Sequence, residues 1–274
     1  MLGALIIVFR EVLEAGLIIG IVMAATRGVT GRGRWITIGV TAGFLGAAVV
    51  AIFAGAISQA FEGIGQELFN ATVLGVAVVM LMWHNAWMAR HGREIAAEMR
   101  QIGTDVSEGA KPLTALAVVI GLAVLREGSE VVLFLYGIFA QGTSGLSLLT
   151  GGLLGIVAGA AFTGLTYAGL LAIPQRYIFA VTSWLIALLA AGMAAQSAQF
   201  LYSAGVVNRM GETVWNTSWL LSEGSILGKL LHTLIGYVEQ PTALQLVAYI
   251  GTLLAMYVLM RVARYRPEAR PVRV

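Results

Sequence analysis

Phe9-Arg10-Glu11-Val12-Leu13-Glu14 sits near the middle of one apolar run, residues 2–25, and Leu125-Arg126-Glu127-Gly128-Ser129-Glu130 sits near the middle of another, residues 113–140. A helix needs roughly 20 mostly apolar residues to cross the hydrocarbon core of a bilayer. Five further runs qualify: 35–57, 68–89, 148–171, 178–203 and 243–262. Of the 274 residues 58% are hydrophobic and 11% charged, with a mean hydropathy of +0.85; soluble proteins carry about 25% charged residues. This balance excludes a soluble globular domain, a disordered chain and a nucleic-acid-binding module. The chain has no cysteine, so a disulfide framework, a thiolate metal site and a cysteine nucleophile are excluded as well. Met1-Leu2-Gly3 has no basic segment and no small-residue cleavage site follows it, so the first run reads as a retained span.

The runs are separated by polar or turn-rich breaks at 27–34, 90–111 and 174–176. Assigned to alternate sides, the loops carry thirteen Lys and Arg on one side and only Arg209 and Lys229 on the other. The basic side of a membrane protein is cytoplasmic. The expected fold is an all-α integral membrane protein of the plasma membrane, with seven transmembrane helices, the N-terminus outside and the C-terminus in the cytoplasm.

Under that topology the first and fourth spans run in opposite directions, yet both carry Arg-Glu-x-x-Glu. The second and fifth also match, Gly39-x-x-x-Gly43 against Gly151-x-x-x-Gly155-x-x-x-Gly159. Glycine stripes let helix backbones approach closely, within a chain or between copies in a homo-oligomer. The sequence therefore divides into inverted repeats, residues 1–110 and 111–203. An external loop with an interfacial helix follows at 204–242, then a seventh span with a basic tail at 243–274. A 3+3 inverted-topology repeat places its substrate site near the bilayer midplane, where the repeats meet. The two charged clusters lie at that depth.

Residues three and four apart share a helix face, so Glu11 with Glu14, and Glu127 with Glu130, project together beside Arg10 and Arg126. A charge at mid-bilayer costs about 2.5–3.5 kcal/mol on insertion scales. Four carboxylates against two guanidiniums leave an excess of negative charge, to be met by a multivalent cation or by shared protons. Oxygen donors suit hard cations. The plain structural alternative is an ion-pair lock between two helices. His84 with Asn85, and Gln196 with Gln199, are weaker signals: they could line a path, although such residues more often hydrogen-bond neighbouring helices. Met80, Met82 and Met88 read as core packing. External acidic residues, among them Glu62 and Glu67, would concentrate cations at the mouth. A di-iron enzyme site would call for Glu-x-x-His pairs, which no span contains, so the chain does not read as an enzyme.

With its two Arg-Glu-x-x-Glu segments, the sequence resembles the oxidase-dependent iron permease family, comprising yeast-type high-affinity iron permeases and bacterial EfeU-type transporters. Residues 66–69 and 222–237 look like family sequence too. The resemblance implies import of iron as substrate, as ferric ion made by an iron-oxidising periplasmic or extracellular partner, with Glu11, Glu14, Glu127 and Glu130 as metal ligands. Alternatives are another metal cation, lead or manganese, or a proton-coupled solute. Three positions depart from the family pattern. Val12 stands where the motif usually has Gly, while Asn70 and Asn216 stand at acidic positions and keep an oxygen donor without its charge.

Overall fold

A computed structural model describes residues 1–60, 65–169 and 175–264. Among them are eight helices: α1 (Leu2–Ala25), α2 (Arg32–Ala60), α3 (Gln66–Ser107), α4 (Thr114–Ala140), α5 (Gly145–Tyr167), α6 (Gln175–Ser203), α7 (Ile226–Ile235) and α8 (Ala243–Arg264). No sheet occurs among the described residues; the one β feature is an isolated antiparallel bridge, Thr213 to Thr242. Each of the seven apolar runs carries one long helix. Five of these (α2, α3, α5, α6 and α8) are long and apolar enough to cross a membrane, and their outer faces expose large apolar side chains such as Ile52, Phe53, Leu146 and Val181. The chain is an integral membrane protein. The two remaining long helices, α1 and α4, are those with three ionisable residues at their centres. Glu62, Pro174 and the tail arginines Arg266, Arg270 and Arg273 lie outside the described residues.

The charged segment 90–111, read from the sequence as a break, is mostly helix. α3 runs 42 residues without interruption to Ser107. The segment is rich in Ala, Arg, Glu, Met and Gln, all good helix formers, and its end packs on α1, where a Cβ on Gly103 would meet the Cβ of Ala25 at 2.5 Å. The helix stops at Gly109, which takes φ +79°, a conformation glycine adopts without strain. Across this turn Lys111 pairs with Asp105 at 2.8 Å. That hydrogen bond, helped by Gln101, holds the Asp105 carboxyl below its ordinary value. A depressed carboxyl favours the folded turn above its unfolded value, and the contribution fades as pH falls through the lowered one.

The packing pairs α2 with α4, α5 with α1, and α3 with α6. Exchanging α1 with α4, α2 with α5 and α3 with α6 leaves this set of pairs unchanged. The register follows the same exchange. A Cβ on Gly43 would meet Gly121 O, Val124 Cβ and Leu125 N of α4, and a Cβ on Gly155 would meet Leu5 O, Val8 Cβ and Phe9 N of α1. Each α4 residue here is 116 positions beyond its α1 counterpart, as Arg126 is beyond Arg10. Both glycine stripes are therefore used for close backbone contact inside one chain.

This seam accounts for Val12. A Cβ on Gly159 would lie 2.8 Å from Val12 Cγ1, whereas in the α2–α4 seam a Cβ on Gly128 would lie 2.6 Å from Ala47 Cβ. One seam sets a large residue against glycine, and the other sets glycine against alanine. Gly159→Ala is expected to overpack the α1–α5 seam and destabilise the protein by about 1–3 kcal/mol. Adding Val12→Gly recreates the α2–α4 arrangement and should move the melting temperature back toward native. A double variant no more stable than Gly159→Ala alone would contradict this volume match.

At the opposite end from the α3–α4 turn, residues 204–242 fold back on themselves. Thr217 N donates to Glu239 O at 2.9 Å and Leu244 N to Met210 O at 2.9 Å. α7 packs against α6 and α1. Its C-terminal Gly236, at φ +70°, abuts Gly192 inside α6, where an added Cβ would come within 2.8 Å of the Gly236 Cα. Tyr249 of α8 ties down the same end by donating to Ile235 O at 2.6 Å.

Candidate metal centre

α1 presents Arg10, Glu11 and Glu14 on one face, all buried to 3% exposure or less. Arg10 Nη1 donates to Glu11 Oε1 at 3.2 Å, and its Nη2 lies 2.8 Å from Glu14 Oε1. α4 presents the matching set from the other side: Arg126 Nε donates to Glu130 Oε1 at 3.2 Å and lies 3.8 Å from Glu127 Oε1. The two sets face each other, and His84 of α3 stands between them. Its Nε2 is 3.7 Å from Glu11 Oε2 and 3.5 Å from Glu14 Oε2, and its Nδ1 lies against Glu130 Oε2.

One ligand-type atom from each of Glu11, His84, Glu127 and Glu130 falls within 4.8 Å of all the others. These contacts lack hydrogen-bond geometry. Both His84 nitrogens and Oε2 of Glu11, Glu14, Glu127 and Glu130 are buried without a hydrogen-bond partner. Leaving a buried polar atom unpaired costs about 1–3 kcal/mol, and more when it is charged. Converging orphan donors of this kind form a site that a cation would satisfy.

The halves differ in access. Arg10 is 2% exposed and Arg126 36%. Arg126 stacks 4.1 Å above the Trp87 ring and borders a side cavity of about 360 Å³ with Trp83 and His84. A larger cavity of about 1090 Å³ leads from Arg10 and Glu14 past Asn85 and Thr163 to Arg100 and Thr104. It reaches the end of the bundle that carries the α3–α4 turn.

All six motif residues therefore converge. His84, which the sequence reading grouped with helix-bonding residues, joins them; its neighbour Asn85 behaves as that reading expected, accepting from Ser183 Oγ at 3.0 Å. The repeat extends to α3 and α6 but gives no signal for His84. Ser183 of α6 bonds Asn85 of α3, and Ser197 Oγ of α6 bonds Ala71 O at 2.8 Å; a shift of 112 positions carries one pair onto the other, and carries His84 onto Gln196. Gln196 is half-buried, Gln199 leaves its Oε1 buried and unpartnered, and neither is part of the ion-pair cluster. Met80 and Met82 pack against the core, whereas Met88 Sδ accepts from Arg126 at 3.8 Å. Glu67 is exposed in the first turn of α3 and Asn70 is half-buried one turn later. Asn216 is spent locally, its Oδ1 accepting from Ser218 N at 2.9 Å and Ser218 Oγ at 2.6 Å.

A helical membrane bundle with a buried carboxylate and imidazole cluster that could hold a cation, and a cavity leading from it to one end, has the architecture of a membrane transport protein. The chain belongs to the iron permease FTR1 family, which it matches over residues 1–266. Similar proteins include the ferrous iron permease EfeU of Escherichia coli O6:H1 strain CFT073, 33% identical over 242 residues, covering 86% of this chain and 87% of that one. The ferrous iron permease EfeU of Yersinia pestis is 30% identical over 248 residues, covering 89% and 87% respectively. No solved structure matches the chain. The family is one of transporters, and the chain is a permease and not an enzyme.

Proposed function

We propose that the chain imports iron across the plasma membrane through the centre between α1 and α4. The carrying observation is the convergence of two Arg-Glu-x-x-Glu faces on buried carboxylate oxygens with no hydrogen-bond partner. In this reading α1 and α4 also cross the bilayer, because their carboxylates are turned to one another and Arg126 to the side cavity, and the Lys and Arg of the loops put the N-terminus outside. Residues 1–110 and 111–203 act as inverted repeats, a reading supported by the exchangeable packing and register. Rocking of one repeat against the other moves the ion from the face of loop 204–242 to the cavity at Arg100 and Thr104. Glu67 and the loop acids draw cations to the outer face. The ligating atoms all come from one chain, so no second copy is required.

The resemblance to oxidase-dependent permeases favours ferric ion as the species carried, and His84 adds a nitrogen to the carboxylate oxygens of the centre. Uptake of radiolabelled iron into proteoliposomes, supplied as ferrous ion under reducing conditions or with an added oxidant, tests substrate and species together. Uptake without oxidant makes the oxidising partner dispensable for passage; strict dependence on oxidant identifies ferric ion as the species carried. Manganese or lead uptake exceeding that of iron in both conditions would overturn the assignment, as would proton-driven solute uptake with no metal.

A further inference from the structure

Two carboxylate pairs account for the negative charge of the centre but not for an imidazole at its middle. His84 comes from α3, outside either motif, and is 4% exposed. Its two nitrogens face different groups, Nε2 toward Glu11 and Glu14 and Nδ1 toward Glu130. Neither nitrogen has a hydrogen-bond partner. Glu14 stands apart from the compact donor set of Glu11, His84, Glu127 and Glu130; Arg10 holds its Oε1 at 2.8 Å, leaving Oε2 directed at His84 Nε2.

An imidazole that binds a metal through one nitrogen generally donates its other N–H to a carboxylate, which fixes the ring and its tautomer. Glu14, held by Arg10 and 3.5 Å from His84 Nε2, stands where it would accept that bond once a metal turns the ring. We infer that His84 is a metal ligand of the permease, binding through Nδ1 beside Glu11, Glu127 and Glu130, with Glu14 as the residue that orients its ring. This inference rests on the reading of the centre as the iron site.

The donor set decides the class of ion. Carboxylates alone suit magnesium, calcium and manganese, whereas imidazole adds affinity for iron, cobalt, nickel and zinc. One nitrogen with three carboxylates therefore selects first-row transition ions over alkaline earths. Gln196, at the equivalent place on α6, carries no such nitrogen, so the selectivity is contributed by one repeat only.

The test uses the full-length protein in lipid nanodiscs. Pulsed electron paramagnetic resonance of bound manganous ion reads nitrogen coordination directly, and cobaltous and calcium affinities are measured for the native chain and for His84→Gln. The expected result is a ¹⁴N modulation in the native protein that vanishes in the variant, with cobalt affinity falling about ten-fold or more and calcium affinity changing by less than about three-fold. A native spectrum without ¹⁴N modulation overturns the assignment without relying on any variant, and so does an equal loss for both ions, which would mark His84 as structural. Glu127→Gln serves as the separate control. Unchanged cobalt binding in that variant would show that the centre itself is not the metal site.

Discussion

Glu130→Gln is expected to reduce iron uptake at least about ten-fold while the protein still reaches the membrane in normal amount. The substitution keeps the shape of the side chain and removes its charge. Glu130 sits at the junction of the site: its Oε1 accepts from Arg126 at 3.2 Å, while its Oε2 lies against His84 and has no hydrogen-bond partner. An amide there offers one neutral oxygen in place of a charged pair, and loss of about 1.4 kcal/mol of ion binding already means ten-fold. Glu98→Gln, exposed on the part of α3 beyond the centre, provides the comparison and should transport as the native chain does. Equal transport by the two variants would return the carboxylates to the role of an ion-pair lock.

The second large effect concerns stability. Arg10 is buried between Glu11 and Glu14, at 3.2 and 2.8 Å. Removing one partner of a buried charge pair costs about 3–5 kcal/mol, because the other charges remain buried and uncompensated. Arg10→Gln is therefore expected to lower the thermal midpoint sharply. Arg126→Gln should cost clearly less, since the Arg126 side chain is 36% exposed and borders the side cavity, where water entering the cavity would screen the carboxylates left behind. Melting curves of the two variants in the same detergent make the comparison. Equal losses would mean that the two motifs are buried alike in the functioning protein, against the asymmetry described here.

Much of this was legible in the sequence, because a bilayer enforces simple rules. Long apolar runs had to be helices, and six ionisable residues in two of them had to turn inward and meet. The glycine stripes announced close contacts, but their spacing could not say whether the partner was another copy or the same chain; the register onto α1 and α4 decides it. Two segments show what sequence pattern leaves open. The charged segment after residue 89 continues α3, because polarity ends a membrane span without ending a helix. The helix at 226–235 forms where the apolar spacing places it, and its packing against α6 and α1 is a tertiary contact that the spacing alone does not specify. A single histidine in a span carries no spacing pattern, so His84 does not stand out in the sequence. Its meaning depends on α3 packing against both α1 and α4, a tertiary fact that no local window contains. The departure at Val12 also became intelligible only with its partner, Gly159, in view.

The most direct test of the central claim is the position of bound iron, located by anomalous scattering at the iron absorption edge from crystals of the iron-loaded protein. The account predicts one strong peak between α1, α3 and α4, within coordinating distance of Glu11, His84, Glu127 and Glu130. Iron found only at the outer loop, near Glu223 and Glu239, with nothing between the two Arg-Glu-x-x-Glu faces, would contradict it.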